Sequence, residues 1–174
     1  MPLLTVGHGP DDRVRLGDRL TAAGIEVLVD VRRFPASRTN PDVGRDALAE
    51  WLPARGVRYR WDGRLGGRRR LPAGEPVDDA WWTVAQFAAY AAHTRTPDFT
   101  AALGDVLLAA VERRVAVMCS ESVWWRCHRR LIADVVVLGH GRQVELVMPD
   151  GRLAPHRPAE GAVLDPAGVV RWPG

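Results

Sequence analysis

The segment "IEVLVDVR" at positions 25–32 is the most constraining stretch of the chain, because its β-branched residues run on without a polar position on every second residue. A strand with one wet face alternates, whereas a parallel strand covered on both faces is continuously apolar. The stretch therefore predicts a buried parallel strand, ending in charge at Asp30 and Arg32. Around it, "LLTVGHG" predicts a strand and turn, followed by a helical pattern through Val14, Leu16, Leu20 and Ala23 that stops at Gly24. "RDALAEWLPARG" predicts a helix shortened or kinked by Pro53, and "VRYRWD" a third strand. A helical region over about 78–114, broken near "TRTPDF", leads to the strand "VAVMCS", the helix containing "CHRRLIADVVV" and a last strand "QVELVMP". Strands alternating with helices predict an α/β fold, a single domain over residues 1–149 with a mainly parallel sheet flanked by helices in Rossmann-like layering. The Pro- and Gly-rich residues 150–174 are expected to form a loosely ordered tail. In such sheets ligands bind beyond the carboxyl ends of the strands, which is where His8, Asp30, Arg32 and Cys119 fall.

A length of 174 residues suits one core. All 24 basic residues are arginine and none is lysine, a bias that GC-rich coding explains, although the guanidinium fork also suits phosphate and carboxylate. A net charge of +3 is too small to argue for nucleic acid by itself, so the clustering of arginines matters more. No apolar run is long enough for a membrane span and the first residues lack a signal-peptide pattern, so a cytoplasmic protein is expected, with Cys119 and Cys127 reduced. Oligomeric state is left open.

Chemistry concentrates in "VMCSESVWWRCHRRLIAD" at 117–134. A cysteine after a strand with an arginine beyond it suits an anion-cradling nucleophile loop, but six residues separate Cys119 from Arg126 and two tryptophans replace the usual small residues. Cys119, Cys127, His128 and His8 are soft-ligand types, yet seven residues separate the cysteines where zinc sites favour close pairs, so neither metal nor cofactor is expected. Alternatively, Arg32, Arg38 and Arg129 hold phosphate while Trp124 or Trp125 stacks on a base. Asp30 or Glu121 then activates water or stabilises a cationic sugar, and His8 or His128 manages a proton. Each carboxylate is equally well explained as an ion-pair partner of a neighbouring arginine, and His8 is more readily explained as a satisfied loop histidine than as a general acid/base. The loop "RLGGRRR" adds arginines beside flexible glycines, without the glycine spacing of a dinucleotide fingerprint.

Taken together, "TVGHG", "LVDVRRFPASRTNP", "VRYRWDGRLGG" and "VMCSESVWWRCHRRLIAD" resemble the prokaryotic family catalogued as domain of unknown function 488, over residues 4–137. The resemblance places motif positions on Gly7 and His8; Asp30 and Arg32; Ser37, Arg38 and Pro41; Leu65, Gly66 and Gly67; and Cys119, Glu121, Cys127, His128 and Arg129. It implies an α/β domain with one shared site and an association with nucleic-acid maintenance, while Trp124 and Trp125 depart from the polar residues of many relatives. Family alone does not set the reaction. The leading expectation is an enzyme acting on nucleic acid or nucleotides, concretely a glycosylase-type hydrolase of damaged or modified bases. A sulfurtransferase or redox protein, with Cys119 attacking and Cys127 resolving, is the alternative, and a non-catalytic nucleic-acid-binding module the third.

Overall fold

The computed structural model describes residues 1–174. Its sheet has the order β3-β2-β4-β1-β5-β6, built from β1 (Leu3–Gly7), β2 (Val27–Asp30), β3 (Arg58–Trp61), β4 (Val115–Cys119), β5 (Val144–Val147) and β6 (Leu153–Pro155). The first five strands are mutually parallel and β6 runs antiparallel to β5. The single α/β domain with a mainly parallel sheet is thus present, and its central strands β1, β2 and β4 are buried throughout.

Alternate residues of these strands face two separate cores. Leu4, Val6, Leu28, Ala116 and Met118 pack under α1 (Arg13–Ala22) and α2 (Arg45–Trp51). Leu3, Val27, Val29, Val115, Val117 and Cys119 face the opposite layer, made by α3 (Ala85–His93), α4 (Pro97–Glu112) and α5 (Arg129–Asp134). Both faces covered is what a continuous apolar run requires.

Local chemistry sets the helix limits. The Asp12 carboxylate caps α1 by accepting from the Arg15 N–H at 2.9 Å. Pro53 ends α2 as a regular helix, leaving a 3-10 turn over Leu52–Arg55 that closes on Gly56, whose φ of 73° is left-handed. Over the expected helix at 78–114, regular structure begins only at Ala85, and the break falls before Pro97, where the Thr96 hydroxyl caps α4. No helix is long and apolar enough to cross a membrane.

The C-terminal residues differ from the loose tail expected of their composition. After β6, a hairpin of β7 (Val163–Leu164) and β8 (Val170–Arg171) delivers Trp172 into the core, where it is fully buried. Its Nε1–H donates to Oδ2 of the buried Asp134 at 3.0 Å, and the other carboxylate oxygen lies 2.6 Å from Nε2 of His156. Trp172→Phe keeps most of the apolar contact but removes one donor from a buried carboxylate. It is expected to cost about 1–3 kcal/mol, read as a lowered urea midpoint.

Candidate active site

Strand β4 lies between β1 and β2, so the loops leaving these three carboxyl ends converge. Between them is a cavity of about 330 Å³. Cys119, Cys127 and His128 form its inner end, His8 and Arg32 one wall, and Ser120 with Glu121 another. Arg33, Arg68 and Arg126, exposed on their outer sides, surround the mouth, and Phe34, Phe87 and Tyr90 supply aromatic surface. Close approach of the β1 and β4 loops depends on Gly7, where a Cβ would stand 2.0 Å from the Glu121 carbonyl oxygen.

His8 stands where its motif predicted, buried on the cavity wall. Nδ1 is 2.8 Å from the Gly9 carbonyl, which only accepts, so Nδ1 carries the proton and Nε2 accepts from Arg32 at 3.3 Å. Burial lowers its pKa, the Gly9 bond partly opposes this, and the Arg32 charge lowers it further. His8 is therefore a neutral acceptor at pH 7.

Asp30 is not a cavity residue. It shares the sheet face of Leu28 and is fully buried. There it accepts from Arg32 Nε at 2.9 Å and NH2 at 2.6 Å, and from the Tyr59 hydroxyl at 2.8 Å. The expected role in activating water is corrected accordingly: the carboxylate fixes Arg32 and meets no solvent. Burial alone lowers the Arg32 pKa, but the Asp30 bonds outweigh it and raise the value. The Tyr59 hydroxyl is pushed up by burial and by the same carboxylate. Arg32 spends its donors on Asp30, His8 and the Val43 carbonyl, so it shapes the wall rather than offering a free fork to phosphate.

Arg129 is likewise a tie rather than a ligand clamp. Buried outside the cavity lining, it donates to Cys127 Sγ at 3.3 Å, to Thr5 Oγ1 at 3.4 Å and to the Glu121 carbonyl. Arg38 is exposed and away from the wall. Trp124 and Trp125 pack edge to face, 5.6 Å between centroids, with Trp124 also against His156. Neither reaches the cavity. The aromatic surface there comes instead from Phe34, Phe87 and Tyr90, which sequence reasoning missed. Only Phe34 carried a signal, directly after the "DVRR" strand end.

Glu121 is the one carboxylate on the cavity wall. Its Oε1 accepts from the Val123 N–H at 2.9 Å, which orients the group and leaves the second oxygen available. His128 is held by Nε2, 3.0 Å from the Val31 carbonyl, so its Nδ1 lone pair points between the two sulfurs, 3.8 Å from Cys119 Sγ and 3.7 Å from Cys127 Sγ. The three donor atoms all lie within 4.8 Å of one another, the one set of cysteine, histidine and carboxylate groups arranged to hold a metal. The bond to Cys127, then burial, push the Cys119 thiol up to about 12. Burial pushes Cys127 up as well, but the Cys119 bond and the Arg129 guanidinium bring it down to about 6. The two thiols act as a coupled pair, with one proton shared between them and the Arg129 guanidinium favouring charge on Cys127.

The family model described as "Domain of unknown function DUF488" matches residues 12–136, a span that contains every lining residue of the cavity except His8. No curated protein and no solved structure matches the chain. With most of its length inside that match, and with motif residues from each converging loop, His8, Arg32, Ser37, Gly67 and Glu121 among them, lining one cavity, the chain belongs to the family of domain of unknown function DUF488.

Proposed function

We propose that this chain is a hydrolase that releases a base from a nucleotide or a nucleic-acid strand, with Glu121 as its acid/base group. One observation carries the reading. Eleven of the 24 arginines pair with a carboxylate, as Arg19 does with Asp11 and Arg95 with Asp79. Arg33, Arg68 and Arg126 have no such partner, and all three line one cavity together with Phe34, Phe87 and Tyr90. Unpaired guanidinium groups around an aromatic-walled cavity suit phosphate outside and a flat base inside. A volume of about 330 Å³ holds one nucleotide and excludes a duplex, so a base in a strand must be extruded or already single-stranded.

In this reading Glu121 takes a proton from water as the oxygen attacks the anomeric carbon. The base departs with the electrons of the broken bond and receives that proton, so water is divided between the two products. His8, neutral and oriented by Gly9, accepts a hydrogen bond at the cavity wall without adding charge.

The test is incubation with single-stranded oligonucleotides carrying a broad panel of modified bases, with released base measured by mass spectrometry. The double variant Arg33→Ala, Arg126→Ala is expected to raise KM about tenfold or more, since charge-assisted hydrogen bonds contribute about 1.5–3 kcal/mol each, while kcat stays within a few-fold. No release across the panel, together with unaltered nucleotide binding by the arginine variant, rejects the reading.

A further inference from the structure

We propose that Cys119, Cys127 and His128 are the protein ligands of a zinc-class divalent cation whose fourth coordination position opens onto the cavity. The seven-residue spacing of the cysteines argued against this in the sequence, but the fold brings the end of β4 and the start of α5 together. Tetrahedral zinc with thiolate and imidazole ligands places sulfur and nitrogen about 3.6 Å apart and two sulfurs about 3.8 Å apart. Observed separations from Nδ1 to the two sulfurs are 3.8 and 3.7 Å, and all three donors fall within 4.8 Å. The sulfurs are not disulfide-bonded.

The surroundings match those of a metal ligand set. Nε2 of His128 donates to the Val31 carbonyl, which fixes the ring and presents Nδ1 unprotonated, the usual support for a ligating histidine. Arg129 Nε–H donates to Cys127 Sγ, as outer donors do to a coordinated thiolate. Gly67 holds the ring from its other side. Its backbone needs no glycine conformation, yet a Cβ there would stand 2.8 Å from His128 Nδ1. Any larger residue would press on the imidazole ring, also 3.0 Å from Cγ, and displace the donor nitrogen from the two sulfurs. Two thiolates and one imidazole select zinc over harder ions such as magnesium.

Three ligands with an open fourth position describe a catalytic rather than a purely structural site. For its chemistry the site rests on the hydrolase reading; for its existence it does not. An ion held by these three residues would acidify a bound water, and Glu121, the one carboxylate lining the same cavity, would take the proton as the water oxygen attacks the carbon bonded to the leaving base. The leaving nitrogen takes the proton back.

Elemental analysis of purified protein dialysed without chelator is expected to find about one zinc per chain, and Cys119→Ser and Cys127→Ser each to lower it at least tenfold. Cobalt(II) exchanged into the wild type is expected to show thiolate-to-metal charge transfer in the near ultraviolet and tetrahedral bands in the visible, a readout that needs no variant to fold. Reduced protein that holds no zinc and takes up no cobalt overturns the proposal, as does zinc retained by both cysteine variants. Zinc bound as expected, with no base released from any substrate, overturns the hydrolase reading and leaves the metal site standing.

Discussion

Asparagine at position 30 is expected to lower stability by about 3–5 kcal/mol, whether or not substrate is present. The Asp30 carboxylate is fully buried and accepts from the Arg32 backbone N–H, from Nε and NH2 of the Arg32 side chain, and from the Tyr59 hydroxyl. Asparagine keeps the shape but removes the charge and turns one acceptor into a donor, facing either a guanidinium or a hydroxyl that already donates. Arg32, 6% exposed, would then keep its charge with no counter-ion. Breaking such a pair is far more costly than the pair's net contribution, because the remaining charge stays out of water. A urea titration with unchanged slope and a lowered midpoint is the expected result. A variant as stable as the wild type but catalytically dead would instead place Asp30 in contact with substrate. Because His8 accepts from Arg32 at 3.3 Å, loosening Arg32 also releases one cavity wall, so residual activity should fall with stability.

The misplacement of Asp30 shows where sequence reasoning stops. A β-branched run ending in "DVR" identifies a buried strand end, and the strand-end rule brings its last residues to the same edge of the sheet as Cys119. It does not say on which face each side chain emerges. Asp30 pairs in register with Met118, and both point to the α1 and α2 side, whereas Cys119 points to the α5 side. One residue of strand is a full change of face. His8 and Glu121 were legible because they lie just past strand ends, Cys119 because it is the last residue of β4, and His128 because it opens α5, all at the carboxyl edge of the sheet. Arg129, in the same motif, was identified as important but not by its role: it lies inside α5's first turn and faces β1, not the cavity. Trp172 was invisible for another reason. It is held by contacts with Asp79 and Asp134, far apart in sequence, through strands of two residues that leave no periodic pattern. The three soft donors were each visible, but their convergence depends on a loop that turns back from β4 to α5, and ligand spacing alone does not encode that return.

Glu121→Gln is expected to lower kcat for base release by about a hundredfold to ten-thousandfold, the range for removing a positioned acid/base group. Folding should survive the change, because the oxygen that accepts from the Val123 N–H at 2.9 Å has a counterpart in the glutamine carbonyl. What disappears is the second carboxylate oxygen, which the Val123 bond leaves free to take the proton in the proposed reaction. Substrate binding should therefore change little, since the arginines at the mouth are untouched and the neutral amide adds no repulsion. Single-turnover release of base, measured with enzyme in excess, isolates this step from product departure. The pattern contrasts with that of the Arg33 and Arg126 variants, which are expected to act on KM. A Glu121→Gln protein with wild-type turnover would remove the carboxylate from the chemistry. A wild type that binds oligonucleotide in a salt-dependent way, forms no product and is unaffected by this substitution would instead make the cavity a binding site alone. Distinct fates for kcat and KM are what separate a group that moves a proton from groups that hold a phosphate, and Glu121 is the one cavity side chain on which that distinction can be read without disturbing either the sheet or the thiols.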